Sequence, residues 1–124
     1  MSEELSLEGI LFAEPSEGRE SLVPSEGELP AGLEGSYYLN GPANLQRGEF
    51  RYRHWLDGDG FVRAVHFRDG KAEMVSRFVR TKKFADETRA GEPLYRAFGT
   101  SFPNDRLRRR IALESPANVS VFPY

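Results

Sequence analysis

The sequence predicts an all-β fold: an antiparallel meander preceded by an extended acidic leader, with the division at residues 1–34 and 35–124. Three observations predict it. From Ser36 onward, short runs rich in aromatic and β-branched residues recur. Turn signals punctuate them at Asn40-Gly41-Pro42, Asp57-Gly58-Asp59-Gly60 and Asp69-Gly70. Charge changes sign at the same boundary: residues 1–34 hold nine Glu and one Arg, and the remainder holds ten acids and sixteen bases.

The leader mixes Glu, Ser, Gly and Pro with scattered apolar residues such as Leu5, Leu7, Ile10, Leu11, Phe12, Leu22 and Val23. That composition predicts extended chain, with neither helix nor regular sheet, pinned to the body at its apolar points. An acidic arm beside a basic body either covers that body or leaves it for an anionic partner; a solvated, partly disordered arm is the plainer expectation. Leu29-Pro30-Ala31-Gly32-Leu33 reads as a turn into the first strand.

Ser36-Tyr37-Tyr38-Leu39 is the first strand, ended by Asn40-Gly41-Pro42. Residues 49–56 alternate, with Phe50, Tyr52 and His54 on one face and Arg51, Arg53 and Trp55 on the other, predicting a second strand. Gly58 and Gly60 offer positive φ for a tight reversal, and 61–68 is the return strand, with Phe61, Val65 and Phe67 sharing a face. Asp69-Gly70 is the preferred primed hairpin turn into a strand over 71–80, which places Ala72, Met74 and Phe78 opposite Val75 and Val79. Residues 84–90, stopped by Gly91, predict one or two helical turns. Asn104 or Asp105 caps a short helix over 105–113, Ser115-Pro116-Ala117-Asn118 breaks it, and Val119-Ser120-Val121-Phe122 opens a further strand.

At 124 residues the chain makes one modest domain. With 39% hydrophobic and 29% charged residues it has the composition of a soluble globular protein. Its apolar runs fall far short of the roughly 20 residues that span a bilayer. The start, Met1-Ser2-Glu3-Glu4, has neither the positive region nor the apolar stretch of a signal peptide, so cytoplasmic residence is expected. Cysteine is absent, which excludes disulfides and thiolate metal sites.

Four groups of residues invite a chemical reading. Asp57-Gly58-Asp59-Gly60 resembles part of a calcium loop, but Phe61-Val62 stands where further oxygen ligands are required, so a turn with locally bonded aspartates is the better account. His54 and His66, on neighbouring strands of the expected hairpin, would need Asp57 or Asp59 to complete a two-histidine, one-carboxylate set. They lack helical spacing and read as ordinary strand residues. Phe50-Arg51-Tyr52-Arg53-His54-Trp55 interleaves bases and aromatics as single-strand nucleic-acid surfaces do, and Arg106, Arg108, Arg109 and Arg110 add charge. The sequence pI of about 5.7 favours a half-buried strand with solvated arginines instead, so no nucleic-acid partner is expected. Neither a phosphate-binding glycine loop nor a nucleophile elbow is present.

Taken in order, these segments resemble the carotenoid cleavage oxygenase family, which includes carotenoid, apocarotenoid and lignostilbene dioxygenases and retinal pigment epithelium membrane protein-like members. The resemblance rests on Leu29-Pro30, Leu33, Gly35 and Tyr37; on Asn40-Gly41-Pro42; and on the aspartate–glycine segment. It continues through Phe67, Asp69-Gly70-Lys71-Ala72, Arg77-Phe78-Val79-Arg80-Thr81, Glu87 with Gly91, and Ala117-Asn118-Val119-Ser120-Val121. Leu39, Leu56, Phe61 and Arg63 depart from the more usual arginine, phenylalanine, methionine and histidine. The resemblance implies a seven-bladed β-propeller with Fe(II) on its axis, held by four histidines in later sequence. Its reaction is oxidative cleavage of a conjugated C=C bond of a carotenoid, apocarotenoid or stilbene by O2.

On that reading the chain is an N-terminal portion: the opening strand and first blade or so of the propeller. None of its residues is assigned as catalytic, cofactor-binding or metal-ligating, and no cofactor is expected on this portion alone. Its partners are the remainder of the propeller or further copies of itself, while the full-length family adds the polyene or stilbene and admits peripheral membrane contact. The isolated chain should then be marginally stable or self-associating, since propeller blades bury their faces on each other. The competing readings are a small β module for single-stranded nucleic acid and a non-catalytic, propeller-derived interaction piece.

Overall fold

A computed structural model of the chain describes residues 6–124. Its centre is a four-stranded antiparallel sheet in the order β1-β6-β5-β2. The strands are β1 (Gly18–Leu22), β2 (Gly35–Ala43), β5 (Asp59–Arg68) and β6 (Lys71–Phe78). A separate two-stranded hairpin pairs β3 (Gln46–Arg47) with β4 (Phe50–Arg51). Two helices, α1 (Leu7–Leu11) and α2 (Lys82–Ala90), and a 3-10 turn at Trp55–Asp57 complete the regular structure of the described residues.

The meander is present, and the Asp69-Gly70 hairpin joins β5 to β6 with φ of 52° and 68°, the left-handed pair a type I′ turn demands. Other expectations are corrected. Asn40-Gly41-Pro42 does not end the first strand; β2 runs through it to Ala43, with Pro42 opposite Gly60. Proline is tolerated there because β2 is an edge strand and needs no donor on its outer side. Residues 49–56 are not one strand: β4 stops at Arg51 and the chain turns into the 3-10 segment at Trp55. β2, not 49–56, is therefore the partner of β5, in a nine-residue register from Gly35↔Phe67 to Ala43↔Asp59.

The leader is more ordered than its composition suggests. Ser6 caps α1 by accepting from the Gly9 amide, and β1 adds a fourth strand to the sheet beside β6. Glu8 pairs with Arg51, Glu17 with Arg80 and Arg19 with Glu73, so the arm lies along the body.

α2 begins where Thr81 Oγ1 accepts from Phe84 N at 3.0 Å, and ends at Gly91 with φ 71°. Phe84 stacks on Phe78, which packs on Phe61, with centroids 5.0 and 4.7 Å apart; these rings fix the helix to the sheet. The apolar core is small: Leu45, Tyr52, Phe61, Ala64, Ala72, Tyr95 and Ala97.

Residues 105–113 form no helix. The Asp105 carboxylate accepts from Phe102 N and pairs with Arg96, and Arg109 and Arg110 adopt left-handed φ of 51° and 66°, which closes a tight loop between Arg108 and Ala112. Residues 119–122 form no strand, and among the described residues none pairs with them. No helix of the described residues is long and apolar enough to cross a membrane.

Candidate functional site

Segments that are far apart in sequence meet around Asp57-Gly58-Asp59-Gly60. β2 delivers Ala43 opposite Asp59 and Pro42 opposite Gly60. Gly60 N donates to Pro116 O at 2.9 Å, and Val79 N donates to Gly60 O at 2.8 Å. Asn40 Nδ2 donates to Ala117 O at 2.9 Å, and the buried Asn118 donates from Nδ2 to Leu56 O and Gly58 O, both at 2.8 Å. One amide side chain thereby satisfies two carbonyls that neither the sheet nor the 3-10 turn can serve.

The two glycines are required for a reason other than reversal. Neither has positive φ. A Cβ on Gly58 would lie 2.5 Å from Ala43 O, and one on Gly60 would lie 2.1 Å from Ala117 O. The expected tight reversal is thus a close backbone crossing, and Asp59-Gly60 already belongs to β5.

The aspartates that precede them are buried rather than bonded to their own turn. Asp57 is 1% exposed; its carboxylate accepts from Gly99 N at 2.8 Å and from Thr100 Oγ1 at 2.5 Å, and Thr100 Oγ1 in turn accepts from Arg53 N. Asp59 has no exposure at all; it accepts from Arg47 Nη2 at 2.5 Å, from Asn44 Nδ2 at 3.2 Å and from Lys83 Nζ at 3.4 Å. Lys83 and Glu87, one helical turn apart on the inner face of α2, pair at 2.8 Å. Glu87 also accepts from Tyr52 Oη at 2.8 Å and from the amides of Leu94 and Tyr95. Arg47 Nε lies 3.2 Å from Glu87 Oε2 but is misaligned for a hydrogen bond, so that contact is purely ionic.

The cluster contains two cations and two anions and closes on itself. Burial pushes the Glu87 carboxyl up, but the Lys83 ammonium and the two backbone donors more than offset it, leaving it below its ordinary range. Burial and the Glu87 charge both raise the Tyr52 phenol, which stays protonated as a donor. Such an arrangement ties β3, β5 and α2 together through side chains. Beside it lies a cavity of ≈ 490 Å³ lined by Leu56, Phe98, Leu113 and Val119, with Asp57 and Lys83 in its wall.

The histidines are used locally. His54 Nδ1 accepts from Leu56 N at 3.0 Å, and its ring stacks on Trp55. His66 Nδ1 pairs with Ser36 Oγ at 2.7 Å on the sheet. Among the described residues no three His, Cys, Asp or Glu side chains converge as a metal-binding group, so these residues do not fit an iron site. Within the aromatic–basic run 50–55, Tyr52 is buried and Phe50 packs edge-on against Tyr52 and Phe102, while Trp55 is 56% exposed. Sequence reasoning did not anticipate Arg47, Lys83, Thr100 or the role of Glu87. The available signal was a lysine and a glutamate four apart on a helix otherwise short of apolar residues.

Asn40-Gly41-Pro42, the aspartate–glycine segment, Glu87 and Ala117-Asn118, which carry part of the family resemblance, meet here, and comparison with known proteins agrees. Residues 12–124 match the family described as Retinal pigment epithelial membrane protein. The chain is 38% identical over 100 residues to apocarotenoid-15,15'-oxygenase of Synechocystis, covering 77% of this chain and 20% of that protein. It is 33% identical over 118 residues to isoeugenol monooxygenase of Pseudomonas putida, covering 95% of this chain and 24% of the relative. The structure superposes on a point variant of the Synechocystis oxygenase with a TM-score of 0.76 at 33% identity, covering 87% of this chain and 23% of the other. A cobalt-substituted form of that oxygenase gives 0.73 at 32% identity, covering 86% and 23%. These neighbours are seven-bladed propellers, and the cobalt-substituted form holds a metal. The chain spans about a fifth to a quarter of the length of these relatives. Its sheet has the four antiparallel strands of one propeller blade, and the chain belongs to the retinal pigment epithelial membrane protein family of carotenoid oxygenases.

Proposed function

We propose that this chain is the N-terminal portion, the first blade or so, of a non-haem Fe(II) dioxygenase that cleaves a conjugated C=C bond of a carotenoid, apocarotenoid or stilbene with O2. In that protein it serves as scaffold. The iron ligands belong to other sequence, and the residues here hold the blade's segments in register. One observation carries the reading: several of the motifs shared with the family converge on a closed, charge-balanced crossing. The cytoplasm is the proposed compartment, on the ground that a cysteine-free chain gains nothing from an oxidising one.

A graft tests this. The matching segment of the Synechocystis oxygenase is replaced by these residues, and loss of apocarotenoid absorbance is followed together with the aldehyde formed. The graft should cleave apocarotenoid, while the 124-residue chain supplied alone with Fe(II) and O2 should not. A graft that melts like the parent enzyme yet turns over nothing would refute the scaffold assignment. Turnover by the chain alone would refute the placement of the iron ligands elsewhere.

A further inference from the structure

We propose that the leader strand β1 is a releasable strap, held to the sheet chiefly by backbone pairing and screened ion pairs, so that ionic strength controls whether the outer edge of β6 is covered.

Three observations carry it. First, no residue of the described leader, 6–34, is buried, and all five residues of β1 are exposed. The strand therefore contributes no buried side chain to the core, and its apolar gain on ordering is confined to Leu22, which is 36% exposed opposite Ala72. β2, the opposite edge strand, differs: five of its nine residues are partly buried, and Asn40 is tied to Ala117.

Second, the side-chain anchors are ionic and wet. Glu17 receives both Arg80 Nη1 at 2.6 Å and Nη2 at 2.9 Å, and caps the Phe78 amide at 2.8 Å. Arg19 meets Glu73 at 2.5 Å across the β1–β6 pair. Glu8 meets Arg51 at 2.5 Å, and the Arg51 guanidinium covers the Phe12 ring at 4.2 Å. Each pair has at least one partner whose side chain is more than half exposed, the setting in which salt weakens an ion pair most.

Third, the segment 23–34 that connects β1 to β2 forms no helix or strand. It touches the sheet near the β5–β6 turn, where Leu29 O approaches Gly70. The arm can leave without disturbing the β2-β5-β6 register, because β1 pairs with β6 only. Release bares the β6 edge from Ala72 to Ser76 together with Arg51, Arg77 and Arg80, turning an acidic covering into a basic open edge.

Residue-resolved hydrogen exchange on the 124-residue chain tests it, with β6 as its own reference. The β6 amides that donate to β1 should exchange at least about tenfold faster than those that donate to β5, and the gap should widen roughly threefold between about 20 and 500 mM NaCl. Glu17→Gln should widen the gap at low salt and remove most of its salt dependence. Because the chain has no cysteine, Glu20→Cys with Met74→Cys places a unique disulfide across the β1–β6 pair. The oxidised form should bring the two amide sets to equal protection. Equal exchange of the two sets in the unmodified chain, at any level, overturns the proposal. So does a gap that neither salt nor the disulfide alters.

Discussion

Gly60 lies under the carbonyl of Ala117 with its own amide bonded to Pro116 O, and a side chain there would have to displace backbone from both directions. Gly60→Ala should destabilise the chain by about 3 kcal/mol, the upper range of overpacking costs, because the clashing atom is a carbonyl and not a flexible tip. Gly18→Ala, with nothing within 4 Å, should change stability by less than about 0.5 kcal/mol. Urea midpoints of the two variants against the parent decide it, and equal midpoints would show that the crossing is loose. Asp59, one residue away, answers to electrostatics. Asp59→Asn leaves Arg47 and Lys83 sharing a single carboxylate in a buried site, a loss of roughly 3–5 kcal/mol. If the cluster acts as a unit, Asp59→Asn combined with Lys83→Met, which restores charge balance, should cost less than the sum of the singles. The sequence made the aspartate–glycine repeat conspicuous but left its purpose hidden. Glycine chosen for close approach and glycine chosen for positive φ are spelled alike, and only the neighbour at Ala117 separates them.

At the scale of elements, α2 is where local and tertiary demands diverge. Its end was legible from Gly91, whereas its start, read at Phe84, lies two residues earlier at Lys82, where Thr81 caps it. Its inner face was not legible, because the side chains it buries, Lys83 and Glu87, are of the type that normally marks a solvated face. The β5–β6 hairpin could likewise be read from Asp69-Gly70 alone, whereas the partner of β5 could not. Aromatic alternation over 49–56 imitates a strand, although Phe50 and Tyr52 pack toward Phe102 and α2 instead.

The buried face of α2 also makes stability depend on pH in a definite direction. Glu87 is held below its ordinary 4.5 in the fold, so its ionisation favours folding above that value, and the contribution is lost as pH falls through the folded pKa. Asp86 beside Lys82, Asp105 beside Arg96 and the exposed Glu17 beside Arg80, the last brought down to about 2, act in the same sense. The urea midpoint should therefore fall between pH 5 and pH 3. Glu87→Gln, weaker at neutral pH, should show a shallower fall. A midpoint flat across that window would mean that Glu87 is not ionised in the folded chain.

For the whole molecule, the balance of buried and exposed apolar residues matters more than any single contact. Among the described residues seven apolar side chains form the buried core, two of them tyrosine and three alanine. Meanwhile Phe98 and Val119 are each 69% exposed, Phe122 is 75% exposed and Ile111 is 85% exposed, all within the irregular segment that follows α2. Leu113 and Val119 continue this surface into the ≈ 490 Å³ cavity beside the charged cluster. The sequence suggested a strand over 119–122 from these same residues. Their apolar character was correctly read, but a strand needs a ladder partner, and none of the described residues supplies one. Apolar surface of this extent on a small domain drives association when left in water. The isolated chain should therefore show a mass above 14.0 kDa that rises with concentration in light scattering. Val119→Ser with Phe122→Ser should lower that mass while shifting the urea midpoint by less than about 1 kcal/mol, since neither side chain is in the core. Ile111→Ser, on the opposite side of the break at 115–118, separates a general stickiness from a face centred on the cavity: only the former is relieved equally by all three changes. A strictly monomeric chain with a sharp, reversible melt would show that this surface needs no cover.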